Sequence, residues 1–234
     1  VVAMVYITGD THRDFARVEE FCEEYGTTED DILIILGDVG INYYLDDRDD
    51  EIKEELSQLP ITLLCIHGNH EERPEFIDSY TEKMWRGGLV FFEEDYPNIL
   101  FAKDGEIYDF DGRKAIAIGG AYSIDKYYRL YFRLAWFESE QPDEYTKKYV
   151  ENKLEAVGWK VDYALSHTGP LKYLPYEKFL PDMDQSQVDK STEEWLDYIE
   201  DNLNYETWYF GHYHCNIFSG KTMILYEEIV ALGE

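Results

Sequence analysis

Six histidines occur in the chain, His12, His67, His70, His167, His212 and His214, and each falls at or just beyond the end of a short apolar run. Asp10-x-His12, Asn69-His70 and His212-x-His214 place a carboxylate, a carboxamide or a second imidazole within two positions of four of them. Gly37-Asp38 closes another run of the same kind. Imidazole nitrogen, carboxylate oxygen and carboxamide oxygen together are donors for borderline divalent cations such as Mn, Fe, Co, Ni or Zn, whereas a Mg or Ca site draws on oxygen alone. Asp10, His12, Asp38, Asn69, His167, His212 and His214 offer seven donors, more than one ion can use while keeping a position open. Two ions about 3.5 Å apart that share a carboxylate would use them all. Such a pair serves displacement at phosphorus, a bridging hydroxide attacking while both ions neutralise the oxygens of the transferred group.

This chemistry needs elements that carry distant loop ends to one edge. In the N-terminal half, apolar runs at Met4 to Thr8, Ile32 to Leu36 and Ile61 to Ile66 read as strands buried on both faces. They end at Gly9-Asp10, Gly37-Asp38 and His67-Gly68-Asn69-His70. Helical spacing follows at Arg13 to Tyr25 and Asp47 to Leu59. An α/β sheet with its site at the carboxyl ends of the strands is the expectation. Short strands at Leu89 to Glu93, Ile99 to Ala102, Glu106 to Phe110 and Lys114 to Gly119 come next, with an Asp111-Gly112 turn that points to antiparallel pairing. Residues 120–142 fit no clean period. Helices are expected at Asp143 to Val157 and Thr192 to Leu203, the latter capped by Ser191 or Thr192. Strands are expected at Val161 to Ser166, Thr207 to Phe210, Ile217 to Phe218 and Thr222 to Ile229. Two sheets face to face with helices outside them, in one domain over 1–234, satisfy this pattern.

Composition narrows the function. Fifty Asp and Glu against 21 Lys and Arg give a formal charge of -29, which excludes a stable nucleic-acid complex and retention on anionic lipid by charge. No run of 18 apolar residues occurs, and the first strand-like residues lack a signal-peptide pattern. Three cysteines without CxxC spacing fit a reducing compartment. A cytoplasmic protein without a membrane partner is the expectation.

Gly9-Asp10-Thr11-His12, Gly37-Asp38, Gly68-Asn69-His70-Glu71, His167 and Gly211-His212-Tyr213-His214 resemble the five ordered motifs of the calcineurin-like metallophosphoesterase superfamily. The resemblance runs from the first strand to near the last. It implies an α/β fold, a four-layer α/β/β/α sandwich of two mixed sheets flanked by helices, and a metal-dependent phosphoesterase with two divalent ions, Mn, Fe, Zn, Ni or Co. It places Asp10, His12 and His214 on the first ion, Asn69, His167 and His212 on the second, and Asp38 between them. His70 would stay off the metals, acting on the leaving-group oxygen or steadying the phosphate, with Asp10 as its orienter. The protein serine/threonine phosphatase branch carries an acidic residue and an Arg soon after the second motif. Gly37-Asp38-Val39-Gly40-Ile41-Asn42 lacks that Arg, so a small phosphomonoester, phosphodiester or nucleotide is the leading substrate class. A phosphoprotein, or a non-catalytic binding role, is the alternative.

Substrate contacts must come from outside the motifs. Residues 122–137 combine Lys126, Arg129 and Arg133 with seven aromatics in an otherwise acidic chain. They read either as a packed excursion or as a wall over the cleft, an Arg or Lys pairing with phosphate and an aromatic ring stacking on a planar group. Arg129 is the first choice for phosphate; Arg73 lies three residues beyond His70, and Tyr173 stands in the loop after His167. His67 reads as a packed histidine, Glu71 as a loop brace and Cys65 as a core residue.

Overall fold

A computed structural model describes residues 3–179, 181 and 184–234. The layers follow from period-two alternation. In β2 (Ile32–Ile35) every residue is buried, yet Ile32 and Ile34 join one apolar cluster and Leu33 and Ile35 another. In β8 (Arg113–Ile118) Ala115 and Ala117 meet the first of these clusters, while Ile116 and Ile118 join a third. Three apolar clusters between four layers make an α/β/β/α sandwich.

The first sheet has seven strands in the order β13 (Val230–Ala231), β1 (Val5–Thr8), β2, β3 (Thr62–Cys65), β6 (Ile99–Ala102), β5 (Gly88–Phe92) and β4 (Thr81–Trp85). Its central four strands are parallel, and β13, β5 and β4 pair antiparallel at the flanks. The second sheet has six, in the order β11 (Ile217–Ser219), β12 (Thr222–Ile224), β10 (Thr207–Phe210), β9 (Tyr163–Ser166), β8 and β7 (Ile107–Phe110). Here β12, β10, β9 and β8 are parallel, with β11 and β7 antiparallel at the edges.

Helices α1 (Ala16–Tyr25) and α2 (Asp47–Ser57) cover the first sheet through Val18, Phe21, Cys22 and Leu56. Helices α4 (Glu144–Ala156) and α5 (Ser191–Asn202) cover the second through Val150, Leu154, Trp195, Leu196 and Ile199. Between the sheets, Ile7, Ile34 and Leu64 pack with Leu165 and Tyr209. Gly26 ends α1 in the left-handed region at φ 60, and its N–H donates to the Cys22 carbonyl. Among the described residues no helix is long and apolar enough to cross a membrane.

Four local expectations change. The helix expected from Arg13 begins at Ala16, because His12 and Arg13 hold φ of 46 and 68, outside the helical region. Ser191 is the first residue of α5 and not its cap; Lys190 holds that position with no side-chain bond, while the Ser191 N–H donates to Asp189. The run expected from Thr222 to Ile229 divides, β12 pairing in the second sheet and β13 in the first. The divided tail carries Tyr226 under the ligand loops, where its carbonyl accepts from the N–H of Gly9. Strand β4 was not expected, since Thr81-Glu82-Lys83-Met84-Trp85 is an exposed edge with little apolar patterning.

The stretch without a clean period contains α3 (Lys126–Phe132), none of whose residues is buried. Leu154→Ala, in the fully buried face of α4, should therefore cost about 2–5 kcal/mol in urea unfolding. Leu130→Ala, on α3, should stay within about 0.5 kcal/mol.

Candidate metal centre

The parallel strands of both sheets deliver the ligand-type residues in the turns beyond their carboxyl ends. Asp10 follows β1, Asp38 follows β2, Asn69 and His70 follow β3, His167 follows β9, and His212 and His214 follow β10. His12, Asp38, His212 and His214 all adopt positive φ, between 46 and 69. Non-glycine residues held there store roughly 1–3 kcal/mol each, a feature concentrated at functional sites. The glycines beside them are required by close approach. A Cβ on Gly68 would lie 2.1 Å from both the N and Oδ1 of Asp38, and one on Gly37 would lie 2.1 Å from Nδ1 of His167.

Two groups of donors result. In the first, Asp10 Oδ2 lies 3.4 Å from His12 Nε2 and 3.2 Å from His214 Nε2, and the two imidazole nitrogens are 2.9 Å apart. Asp38, His167 and His212 form the second, with Asp38 Oδ2 3.6 Å from His167 Nε2. Asn69 joins it, its Oδ1 2.8 Å from His167 Nε2. Asp38 Oδ2 also lies 3.8 Å from His12 Nε2, so this one oxygen stands between the groups.

The surroundings aim these atoms inward. His167 Nδ1 lies 2.7 Å from the Leu36 carbonyl, which selects the tautomer protonated at Nδ1 and leaves Nε2 facing the cluster. Ser123 accepts from Asn69 Nδ2 at 2.9 Å and so turns Oδ1 inward. His214 stacks on Tyr226 with ring centroids 4.7 Å apart. Asp10 Oδ1 accepts from the His212 N–H and Asp38 Oδ1 from the His70 N–H, both at 2.8 Å.

Electrostatics follow from burying two carboxylates side by side. Burial opposes charge on both, yet the imidazoles around them hold both below the ordinary carboxylate range. Burial likewise opposes charge on His167, but Asp38 and Asp10 push it up to about 9. His212 is held down to about 3 by burial and by the charge on His167. Asp10 Oδ2 is buried without a hydrogen-bond partner among the described residues. Converging imidazole nitrogens, a shared carboxylate oxygen and a buried carboxylate oxygen without a hydrogen bond fit divalent cations, and all seven residues expected from the sequence are brought together in this cluster.

The other expected residues divide. His70 borders both cavities of the cleft, but Asp10 is not its orienter: that carboxylate is turned to His12, His214 and the His212 amide. His70 is tied through its backbone to Asp38, and burial, helped by Arg129, lowers its pKa. Arg129 lines the cleft beside His12 and His70, donating to Asp125 at 2.8 Å and to the Tyr43 hydroxyl at 3.2 Å.

Lys126 lies over the Trp136 ring at 4.3 Å, and Arg133 is the exposed left-handed residue ending α3. Neither lines a cavity of the cleft. Arg73 is buried, bound to Asp104 at 2.7 Å and to the Ser139 carbonyl, because the loop after His70 turns it into the protein. Tyr173 donates to Glu200 on α5 and is taken up in packing there. The outward rings of α3, Tyr127, Tyr128, Tyr131 and Phe132, face solvent, while Tyr122, Ile124 and Asp125 supply the wall of the cleft. His67 and Glu71 brace: His67 Nε2 meets the Glu71 carbonyl, and the Glu71 carboxylate accepts from the N–H groups of Val39, Gly40 and Gly68. Ser123 and Tyr226 had no signal in the sequence, since a lone serine and a lone tyrosine match no ligand spacing.

The calcineurin-like phosphoesterase model matches residues 3–216, and the chain belongs to that family. No curated protein sequence matches it. Among solved structures, TT1561 of Thermus thermophilus is 11% identical, with 97% of this chain and 89% of that chain covered at a TM-score of 0.54. Another solved chain is 17% identical, covering 94% of this chain and 88% of its own at 0.55. The phosphopantetheinyl hydrolase PptH from Mycobacterium tuberculosis is 13% identical, with 97% and 89% covered at 0.45. At such identities the first two likenesses concern the fold.

Two substitutions test the cluster by metal content. Asp38→Asn removes the charge shared by the two groups, and elemental analysis should fall from near two ions per chain, with turnover lost. Gly68→Ala should do the same by displacing the Asp38 carboxylate, although residue 68 supplies no donor of its own. Two retained ions in both variants would take Asp38 out of the shared position.

Proposed function

We propose that this chain is a dinuclear metal-dependent phosphoesterase acting on a small phosphoester or nucleotide. The observation that carries the reading is the position of Asp38 Oδ2 between two groups of donors, beside His70. Asp10, His12 and His214 would hold one ion and Asn69, His167 and His212 the other, with Asp38 bridging. Bound Mn, Fe, Zn, Ni or Co ions supply activation of water and neutralisation of phosphoryl oxygens.

The remaining work falls to the chain's own side chains. His70 lies off both donor groups, with its backbone anchored on Asp38, and borders both cavities of the cleft, so it is the side chain assigned here to the departing ester oxygen. Its role is to hand a proton to that oxygen. Arg129 presents a guanidinium from the rim, positioned by Asp125 and Tyr43, to pair with a phosphoryl oxygen. The small-ester reading is favoured over a phosphoprotein because Arg73, three residues beyond His70 in the chain, is buried against Asp104 and lines neither cavity of the cleft.

His70→Asn should keep metal content near two while lowering turnover most for poor leaving groups. General-acid help is worth roughly 10²–10⁴ in rate and matters least when the departing oxygen is already stable as an anion. Rates on an alkyl phosphate and a nitrophenyl phosphate check this; equal losses on both would assign His70 to positioning. Arg129→Ala should keep both ions and the fold yet reduce kcat/KM about 10-fold or more. Rate-against-substrate curves with circular dichroism and elemental analysis decide it. An unchanged rate would remove Arg129 from phosphate contact.

A further inference from the structure

Two cavities open on the donor cluster, and they share Asp38, His70 and His214. The first, of about 500 Å³, continues past Asn69 and His212. Its walls include Tyr122, Ile124, Leu174, Phe179 and Tyr213. The second, of about 440 Å³, continues past His12 between Arg13, Tyr43, Tyr44 and Arg129. The Asp125–Arg129 ion pair joins them, the carboxylate lining the first cavity and the guanidinium the second. Each volume is within the range of roughly 300–1,000 Å³ that accepts an organic group.

The geometry points to a phosphodiester as the substrate class, with phosphorus at the shared edge and one organic arm in each cavity. This inference rests on the phosphoesterase reading. A phosphomonoester has a single arm and would leave one cavity to water. The first cavity suits an arm with an apolar or planar body against Tyr122, Leu174, Phe179 and Tyr213, with Lys178, Gln185, Lys190 and Glu193 supplying polar lining beside them. The second suits an uncharged polar one, because both of its arginines are balanced: Arg13 by Asp49 at 2.6 Å and Arg129 by Asp125 at 2.8 Å.

In the reaction the oxygen of water bonds to phosphorus and the bond from phosphorus to one ester oxygen breaks. That arm leaves as an alcohol with one proton of the water. The other arm remains as a phosphomonoester that keeps the second.

The test pairs turnover with binding on the metal-reconstituted protein. Bis(4-nitrophenyl) phosphate and 4-nitrophenyl phosphate release the same chromophore, and kcat/KM should favour the diester at least 10-fold. Calorimetric titration should show diphenylphosphinate, with two aryl arms and no ester bond, binding at least 10-fold more tightly than phenylphosphonate, which has one arm and more charge. Ile124→Trp, narrowing the first cavity, and Tyr44→Trp, narrowing the second, should each weaken diphenylphosphinate fivefold or more. If the monoester is turned over and the diester is not, the diester inference falls while the phosphoesterase reading stands. If neither ester is turned over, the phosphoesterase reading falls and the titrations still decide the arms. Phenylphosphonate binding as tightly as the phosphinate, or only one tryptophan variant affecting the phosphinate, overturns the two-armed substrate.

Discussion

Asp10 and Asp38 are buried carboxylates in the same small volume, and the need to balance their charge organises the edge of the molecule around them. Taking an ionised carboxylate out of water is unfavourable by many kcal/mol unless it is paired and hydrogen-bonded. Each is met from two directions here. One oxygen accepts a backbone N–H, from His212 for Asp10 and from His70 for Asp38, and the other faces imidazole nitrogens. The backbone bonds consume the oxygens that point away from the cluster and leave the second oxygens for cations. A site made this way is prepared for positive charge by the fold itself.

That preparation draws on the backbone as much as on side chains. Four donors occupy left-handed conformations, which place consecutive groups at angles that extended or helical backbone cannot reach. Such turns persist because parallel strands fix one end of each loop and close glycine contacts fix the other. The Gly68 backbone passes against the Asp38 carboxylate and the Gly37 backbone against the His167 ring, so the donors cannot relax outward without moving a strand. Here strain in the turns is held by the order of the two sheets.

Much of this was legible in the sequence for a physical reason. Strands buried on both faces are continuous apolar runs, as in Ile32 to Leu36, and their ends are marked by glycine followed by a ligand-type residue. Asp10, Asp38, Asn69 and His212 each follow such a glycine, and His12, His167 and His214 are named from their places at or just beyond the same strand ends. The layers were legible as well, since parallel strands alternating with helices leave few ways to cover both faces. What escaped depends on partners far along the chain. Arg73 reads as a free cation next to His70, but Asp104 is 31 residues away and claims it. Asp10 reads as the partner of His70, until His212 and His214 arrive from the other sheet. Tyr226 belongs to a run of strand-forming residues that both sheets divide between them.

Helix α3 shows where pattern reading reverses sign. An amphipathic helix ordinarily turns its apolar stripe inward, whereas here Asp125 and Arg129, one turn apart, line the cleft, and Tyr127, Tyr128, Tyr131 and Phe132 are exposed. The inward side of this segment is the wall of a charged site, so polar groups are the ones with partners there. Arg129 is held by Asp125, Tyr43 and the Ala135 carbonyl, and Lys126 by the Trp136 ring. Among the described residues, none of α3 is buried or joins an apolar cluster, and its position rests on those polar contacts at the rim. The donor cluster is therefore held through two sheets, while α3 is attached at the rim through hydrogen bonds and the contacts of Lys126 with the Tyr122 and Trp136 rings, between the buried Tyr122 and Phe137. Substitutions on α3 can reshape the rim without disturbing the cluster, whereas Ser123 just before it holds Asn69 and ties that part of the stretch to the donors.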